Sequence, residues 1–309
     1  MRRGTSGLNL IVALDKPAQM TSHDVVNVVR RSVGERRVGH AGTLDPAATG
    51  VMVVGIGQGT RLMGYLTAER KSYLARIAFG TETDTEDAEG TVIREAAVPS
   101  ELADATYARE VVASIVGPQM QVPPAYSAIS VKGERAYARA RAGKEVELEP
   151  RPIEIFDSTL IAVDDTGDTL FWEVALTVSK GTYVRSIARD LGRRLGCAAH
   201  LVRLCRTSSG TVTLPMCLSL DAVREGKADY VVEHALDPCE HLGYPIRTVE
   251  DRELAFVQSG RTIELKPTEA DLEGPVSVVH SRHLLGIWTA EEGLLRPQVN
   301  FPDGIMGVK

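Results

Sequence analysis

Apolar residues recur along the chain in two patterns that are typical of β-strands. Residues 10–14 and 51–56 form short, mainly apolar runs of the kind found in buried strands. Residues 72–79 and 172–178 instead alternate between apolar and polar side chains, as strands with one buried face do. We therefore expect strands at these positions, with Tyr73 on the buried face near the start of the third.

Two further stretches place apolar residues at helical spacing. In the first, Thr21 and Asp24 have the form of a capping box, valines follow at helical intervals, and Gly34 comes after the last of them. In the second, Thr182 is placed to cap the start of the helix, and Gly196 is placed to end it. The arginines of this second helix fall on a different side from its apolar stripe.

The predicted elements do not alternate in a steady βαβ rhythm, which favours an α+β fold with a mixed or antiparallel sheet over a doubly wound one. Near Pro245 the pattern changes to short β-type runs at 276–279 and 284–288, separated by a turn-prone stretch at 280–283. A length of 309 residues is enough for one large domain or two unequal ones. The sequence thus predicts an α+β domain followed by a small β-rich domain.

Charge is distributed unevenly along the chain. The formal net charge of −6 argues against a protein that holds polyanions by bulk charge. Residues 180–206 nevertheless contain seven bases and one acid, and residues 81–110 contain nine acids and two bases. On local sequence alone, the basic helix is a solvated face. The acidic run at 81–87 lacks the spacing of an EF-hand loop, which favours a solvated loop over a calcium site.

The four cysteines, Cys197, Cys205, Cys217 and Cys239, have spacings that match neither a zinc site nor a close disulfide framework. We expect reduced, mostly buried thiols, as in a cytosolic protein. The apolar run at 10–14 is too short for the core of a signal peptide, and no membrane span is predicted.

A glycine-bounded loop at 39–50, GHAGTLDPAATG, contains one histidine and one aspartate among small residues. No Gly-Lys-Ser/Thr follows it and it contains no G-x-G-x-x-G, so a phosphate cradle is not indicated. Local sequence by itself favours structural roles, because Asp45 before Pro46 commonly shapes a turn and His40 can hydrogen-bond nearby backbone.

Several separated segments together resemble the TruB family of tRNA pseudouridine synthases, in order and in spacing. The likeness covers about residues 8–210, and its agreement over several segments is more specific than any single motif. The segments are LDKPAQMTSHDVV, GHAGTLDPAATG, KSYLARIAFG, VPPAYSAISVKGERAYARARAG and KGTYVRSIARDLG.

The resemblance implies a pseudouridine synthase fold, with a mixed, largely antiparallel central sheet flanked by helices. It places the catalytic domain at 1–243, with a thumb-like insertion at about 123–152 that lies over the RNA. Residues 244–309 then form a PUA-like, RNA-binding domain. From local sequence, a plain surface hairpin and helix is an equal alternative for the insertion, since its acids offset much of its positive charge.

The resemblance also implies roles for four residues. Asp45, in the G-T-L-D-P frame, is the catalytic carboxylate, and Arg185 is the cation that orients it. Tyr73 stacks on the target base, and His40 occupies the position that the base leaves. Without the resemblance, a solvated arginine, a core tyrosine and a structural histidine would be the preferred interpretations.

Further basic residues are implied to contact RNA, and two positions depart from the family pattern. Arg61 stands where the family commonly has lysine, which preserves the charge. Gln19 stands where the family has glycine, so the resemblance does not extend to the shape of that turn. The implied RNA contacts, besides His40, are Lys16, Arg61, Lys132, Arg135, Arg139, Arg141 and Lys180.

The implied activity is isomerisation of uridine to pseudouridine at position 55 of the tRNA T-loop, by base flipping. This isomerase reaction breaks the N1 glycosidic bond and rejoins the base through C5, without redox change or net hydrolysis, so no metal or cofactor is expected. The expected partner is the T-stem-loop of tRNA, without a membrane or an obligatory protein partner, in the cytoplasm. A noncatalytic tRNA-binding and folding chaperone, or a guide-RNA-directed synthase, are the alternatives.

Overall fold

A computed structural model describes residues 6–67, 70–127, 129–131, 133–143 and 146–309. Its residues form two compact units. The first comprises Met1–Pro46, Gly50–Ala68 and Ser209–Lys309, and the second comprises Ala47–Thr49 and Glu69–Ser208. Among the described residues, no helix is both long and apolar enough to cross a bilayer.

The N-terminal part of the first unit is a small sheet covered by one helix. Strands β1 and β2 both pair antiparallel with β3. The predicted helix is confirmed, because Thr21 and Asp24 form a capping box and Gly34 ends the helix with φ +63°. Valines of the helix pack against β1 and β3 in one buried cluster. The elements are β1 (Leu10–Lys16), α1 (Ser22–Val33), β2 (Val38–Ala41) and β3 (Thr49–Ile56).

The second unit is built on a sheet in the order β12-β4-β11-β10-β7. The pairs β4 with β11, β11 with β10 and β10 with β7 are antiparallel. The predicted α+β class with a largely antiparallel sheet is therefore confirmed. The elements are β4 (Arg70–Phe79), β5 (Thr81–Thr83), β6 (Val92–Glu95), α2 (Ala105–Ala113), β7 (Gly117–Gln121), β8 (Ser130–Val131), β9 (Glu134–Arg135), α3 (Ala136–Arg141), β10 (Arg151–Asp164), β11 (Phe171–Ser179), α4 (Val184–Arg194) and β12 (Ala199–Ser209).

The start of α4 differs from the prediction by one residue. Its N-cap is Tyr183, which has extended backbone and no side-chain capping bond of its own. Thr182 does not cap the helix, since its hydroxyl lies 3.2 Å from the hydroxyl of Ser179 at the end of the preceding strand. The Thr182 hydroxyl, predicted to cap the helix, therefore contacts Ser179 within the turn between β11 and α4.

The C-terminal part of the first unit contains a five-stranded sheet in the order β15-β17-β18-β19-β16. The turn predicted at 280–283 joins β17 and β18, with φ +45° at Ser281 and +61° at Arg282. The predicted β-rich C-terminal region is thus confirmed. The elements are β13 (Val212–Thr213), β14 (Leu218–Ser219), α5 (Leu220–Glu233), α6 (Pro238–Leu242), β15 (Ile246–Thr248), α7 (Asp251–Gln258), β16 (Ile263–Glu264), β17 (Gly274–His280), β18 (His283–Glu291) and β19 (Leu294–Ile305).

Residues of this C-terminal sheet contribute to two apolar clusters. One cluster joins Ile287 and Phe301 of the sheet to Ile11 of β1 and Val53 of β3. The other contains the fully buried Trp288 and residues of α7. The C-terminal sheet therefore shares part of its core with the N-terminal strands, and the domain boundary at 243 stays a prediction.

Candidate active site

Asp45 lies half-buried in the loop between β2 and β3, and the backbone on both sides of it is fixed. The Ser22 hydroxyl, at the start of α1, donates to the Leu44 carbonyl at 3.1 Å and accepts from the Leu44 N–H at 2.9 Å. On the other side, the Lys16 ammonium donates to the Pro46 carbonyl at 3.0 Å. The carboxylate is thus carried by a short segment that is clamped at both neighbouring residues.

Lys16, predicted as a phosphate contact, is a fully buried residue at the end of β1. Besides Pro46, its ammonium donates to the carbonyl of Pro17 at 2.8 Å. A charge in this position needs such acceptors, because burying an ammonium without hydrogen bonds is costly. The geometry makes Lys16 a support of the Asp45 loop.

We expect Lys16→Met to lower the free energy of unfolding by about 2–3 kcal/mol, because the hydrogen bonds from a buried charged donor to the carbonyls of Pro17 and Pro46 are lost. Urea denaturation measures the effect. The matched control is Lys180→Met, which removes an exposed ammonium from the turn after β11 and should change stability by less than about 0.5 kcal/mol. Equal stability of the two variants would contradict the burial of Lys16.

Gln19 occupies a left-handed turn position, with φ +60°. This is a conformation that glycine adopts without steric cost and that other residues rarely adopt. The glycine-like backbone of the turn is therefore retained although the residue is glutamine.

His40 and Arg61 are the other predicted residues of the first unit. His40 is half-buried on β2, opposite Val54 of β3. Arg61 is exposed, donates to the Asn300 carbonyl and stacks its guanidinium 5.5 Å from the centre of the Phe301 ring. Arg61 is thereby tied to β19 of the same unit.

Tyr73 and Arg185 belong to the second unit, and both are buried. Tyr73 is 8% exposed on β4, opposite Leu176 of β11. Arg185 is 5% exposed in the first turn of α4, donates to the Thr85 carbonyl at 2.9 Å and lies 3.7 Å from the Asp87 carboxylate. The interpretation of Arg185 as part of a solvated face is therefore wrong.

The acidic run at 81–87 is also not a solvated loop, because its carboxylates contact the arginines of α4. Glu86 is bound by Arg189 and by the Ser186 hydroxyl, the latter at 2.6 Å. One turn further along the helix, Arg193 binds Glu82 in a two-point contact. Burial raises the pKa of Glu86, and the positive charge of Arg189 opposes that rise.

Sequence reasoning missed both the Ser22 clamp and this ion-pair network. A signal for the network was present, since Arg185, Arg189 and Arg193 recur every four residues while residues 81–110 carry the opposite charge. No local signal distinguished Ser22 from any other serine in a first helical turn.

The remaining predicted RNA contacts lie mainly between β7 and β10. Arg139, in α3, donates to Glu134 at 3.2 Å. Arg135 lies in β9 and Arg141 ends α3, whereas Lys132 lies outside the described residues.

All four cysteines are free thiols, two of them buried. Burial raises the pKa of Cys197, and it raises the pKa of Cys239 to about 11. Both thiols are therefore protonated at neutral pH and unsuited to act as nucleophiles. In the part of the chain that the structure describes, no group of three or more His, Cys, Asp or Glu residues could hold a metal ion.

Two sequence-family matches together cover residues 30–242 of the chain. Residues 30–184 match the TruB family pseudouridylate synthase N-terminal domain, and residues 185–242 match the tRNA pseudouridylate synthase B C-terminal domain. The chain belongs to the TruB family of pseudouridylate synthases.

Curated relatives extend this similarity over most of the chain. A tRNA pseudouridine synthase B of Corynebacterium aurimucosum is 43% identical over 267 residues, covering 85% of this chain and 88% of the relative. Another, of Mycobacteroides abscessus, is 41% identical over 284 residues and covers 92% of each chain. The crystal structure of a Cbf5-Nop10-Gar1 complex contains a chain of the same fold, with a TM-score of 0.66, 20% identity and coverage of 96% of this chain and 86% of that one.

Proposed function

We propose that this chain isomerises uridine to pseudouridine at position 55 of the tRNA T-loop, with Asp45 as the catalytic carboxylate. The chain is a pseudouridine synthase by family, and its relatives at 41–44% identity carry the name tRNA pseudouridine synthase B. The observation that carries the assignment to Asp45 is the pair of clamps on Leu44 and Pro46. Such clamps hold a reacting group in one direction before the substrate arrives.

One carboxylate is sufficient for this chemistry. Asp45 either attacks the ribose C1′ or assists the elimination that releases uracil, and the N1–C1′ bond breaks in both routes. The base then turns and a C5–C1′ bond forms. C5 loses its proton and N1 gains one, so product and substrate are isomers and no oxidant, reductant or added water is consumed.

Three further residues are assigned supporting roles. Arg185 orients the Asp45 carboxylate by pairing with it, since a guanidinium can bind a carboxylate at two points. Tyr73 stacks on the extruded base. His40 occupies the gap that the base leaves in the RNA, because extrusion costs a few kcal/mol and a stacked ring recovers part of that cost.

RNA binding is assigned to a set of cations and to the C-terminal sheet. Residues 244–309 are proposed to hold tRNA as a PUA-like domain after a catalytic domain of residues 1–243. The protein is proposed to act in the cytoplasm, without a cofactor or an obligatory protein partner. The cations proposed to contact the backbone phosphates are Arg61, Lys132, Arg135, Arg139, Arg141 and Lys180.

The proposed activity predicts modification of a bare T-stem-loop transcript by the purified chain alone. Pseudouridine mapping after incubation should show one new pseudouridine, at position 55. A transcript with cytidine at that position is the control and should remain unmodified. A requirement for a guide RNA or a second protein would favour the guide-directed alternative, and binding without any modification would favour the chaperone.

A further inference from the structure

The side chain of Gln121 binds both backbone groups of the residue that begins the Arg185 helix. Its Nε2 donates to the Tyr183 carbonyl at 3.1 Å, and its Oε1 accepts from the Tyr183 N–H at 2.9 Å. Tyr183 is the N-cap of α4 and lacks a capping bond from its own side chain. Gln121, only 3% exposed, therefore fixes the backbone two residues before Arg185.

Gln121 is also the last residue of β7, at the point where the insertion leaves the sheet. It pairs with Arg151, the first residue of β10, so the chain between them starts and ends at one paired position. A buried amide at this position lies where the insertion and the catalytic helix meet within the second unit.

Two arginines of α4 bind the next residues of the insertion. Arg189 donates to the Val122 carbonyl at 2.9 Å, and Arg185 itself donates to the Tyr126 carbonyl at 3.1 Å. Together with the Gln121 amide, these bonds tie the first residues of the insertion to the first two turns of α4. A shift of residues 121–126, which form the insertion stem, would therefore displace the Arg185 guanidinium.

We propose that Gln121 is a positioning residue that holds Arg185 in register with the stem of the insertion, so that the insertion and the orienting cation move together. This inference rests on the proposed role of Arg185 in the reaction. Its physical basis is that small displacements of a group that aligns the reacting atoms lower the rate by up to about 100-fold while leaving distant binding contacts intact. Gln121 acts through Arg185 and does not touch the substrate.

The test begins with Gln121→Met, which keeps the length of the side chain and removes both hydrogen bonds to Tyr183. We expect the single-turnover rate on a T-stem-loop, followed by tritium release from C5-labelled uridine, to fall about tenfold. The dissociation constant for the same RNA should stay within about threefold. Gln119→Met, two residues earlier on β7 and exposed, is the matched control and should keep the wild-type rate.

A double-mutant cycle separates positioning from a general structural effect. Arg185→Lys should lower the rate by about 100-fold or more, as loss of an oriented electrostatic contact does. If Gln121 acts through Arg185, adding Gln121→Met to Arg185→Lys should cost less than about twofold more. A full additional tenfold loss, or a wild-type rate for Gln121→Met alone, would overturn the inference and leave the proposed function standing.

Two further outcomes are distinguishable. A wild-type rate for Arg185→Lys would refute the proposed role of Arg185, and the inference with it. If Gln121→Met does not fold, Gln121→Glu replaces it, since glutamate keeps the acceptor for the Tyr183 N–H and removes the donor to the Tyr183 carbonyl. The same loss of rate and the same absence of additivity are expected for that variant.

Discussion

Asp45→Asn should lower pseudouridine formation by about 1,000-fold or more while leaving tRNA affinity within about threefold of wild type. Asparagine has nearly the same shape as aspartate, so the clamps on Leu44 and Pro46 stay in place. It carries no negative charge and is a poor nucleophile, so the glycosidic bond is no longer activated. Single-turnover tritium release and filter binding on the same T-stem-loop measure the two quantities.

The matched control is Asp15→Asn, which removes an exposed carboxylate from β1, 30 positions before Asp45 in the chain. This variant should retain the wild-type rate and affinity. If Asp45→Asn retained a tenth or more of the wild-type rate, Asp45 would not be the catalytic carboxylate. If instead it lost RNA binding and rate together, Asp45 would contribute mainly to binding.

Arg189→Met should destabilise the fold by about 3–5 kcal/mol at neutral pH, because it removes the arginine that contributes most to compensating the burial of the Glu86 carboxylate. Glu86 is 7% exposed and Arg189 is 6% exposed, so solvent screens this pair little. Urea unfolding monitored by circular dichroism measures the loss. Arg224→Met, in an exposed pair with Asp221 on α5, is the matched control and should cost at most about 0.5 kcal/mol.

The loss in Arg189→Met should depend on pH in a defined direction. Burial already raises the pKa of Glu86 above its ordinary value of 4.5, and Arg189 opposes the rise, so removing Arg189 raises the folded-state pKa further. When a carboxyl has a raised pKa in the folded state, the protein loses stability as the pH rises from the unfolded-state pKa to the folded-state pKa. The difference from wild type should therefore be larger at pH 8 than at pH 5. If the stability difference between Arg189→Met and wild type instead grew toward acid pH, the buried charge of Glu86 would not be the cause of the destabilisation.

The strands and the first helix of this protein could be predicted from sequence because their determinants lie within a few residues. The capping box of Thr21 and Asp24 and the left-handed Gly34 determine the ends of α1. Alternating burial along 72–79 and 172–178 reflects the two-residue period of a strand. Asp45 was predicted from the likeness of its loop to a family, since local chemistry alone favoured a turn.

Only the tertiary structure decided what the charged and amide side chains contact. The acidic run and the arginines of α4 each resemble solvated surface in sequence, yet Glu86 and Arg189, 103 positions apart, form a buried pair. Gln121 and Tyr183 are 62 positions apart, and nothing near either residue indicates the other. Local periodicity specifies which face of an element is apolar, but the partner of a polar group depends on which elements the fold places side by side. The charge pattern therefore determined that a partner was needed, and the packing of the 81–87 loop and the insertion stem on α4 determined which one.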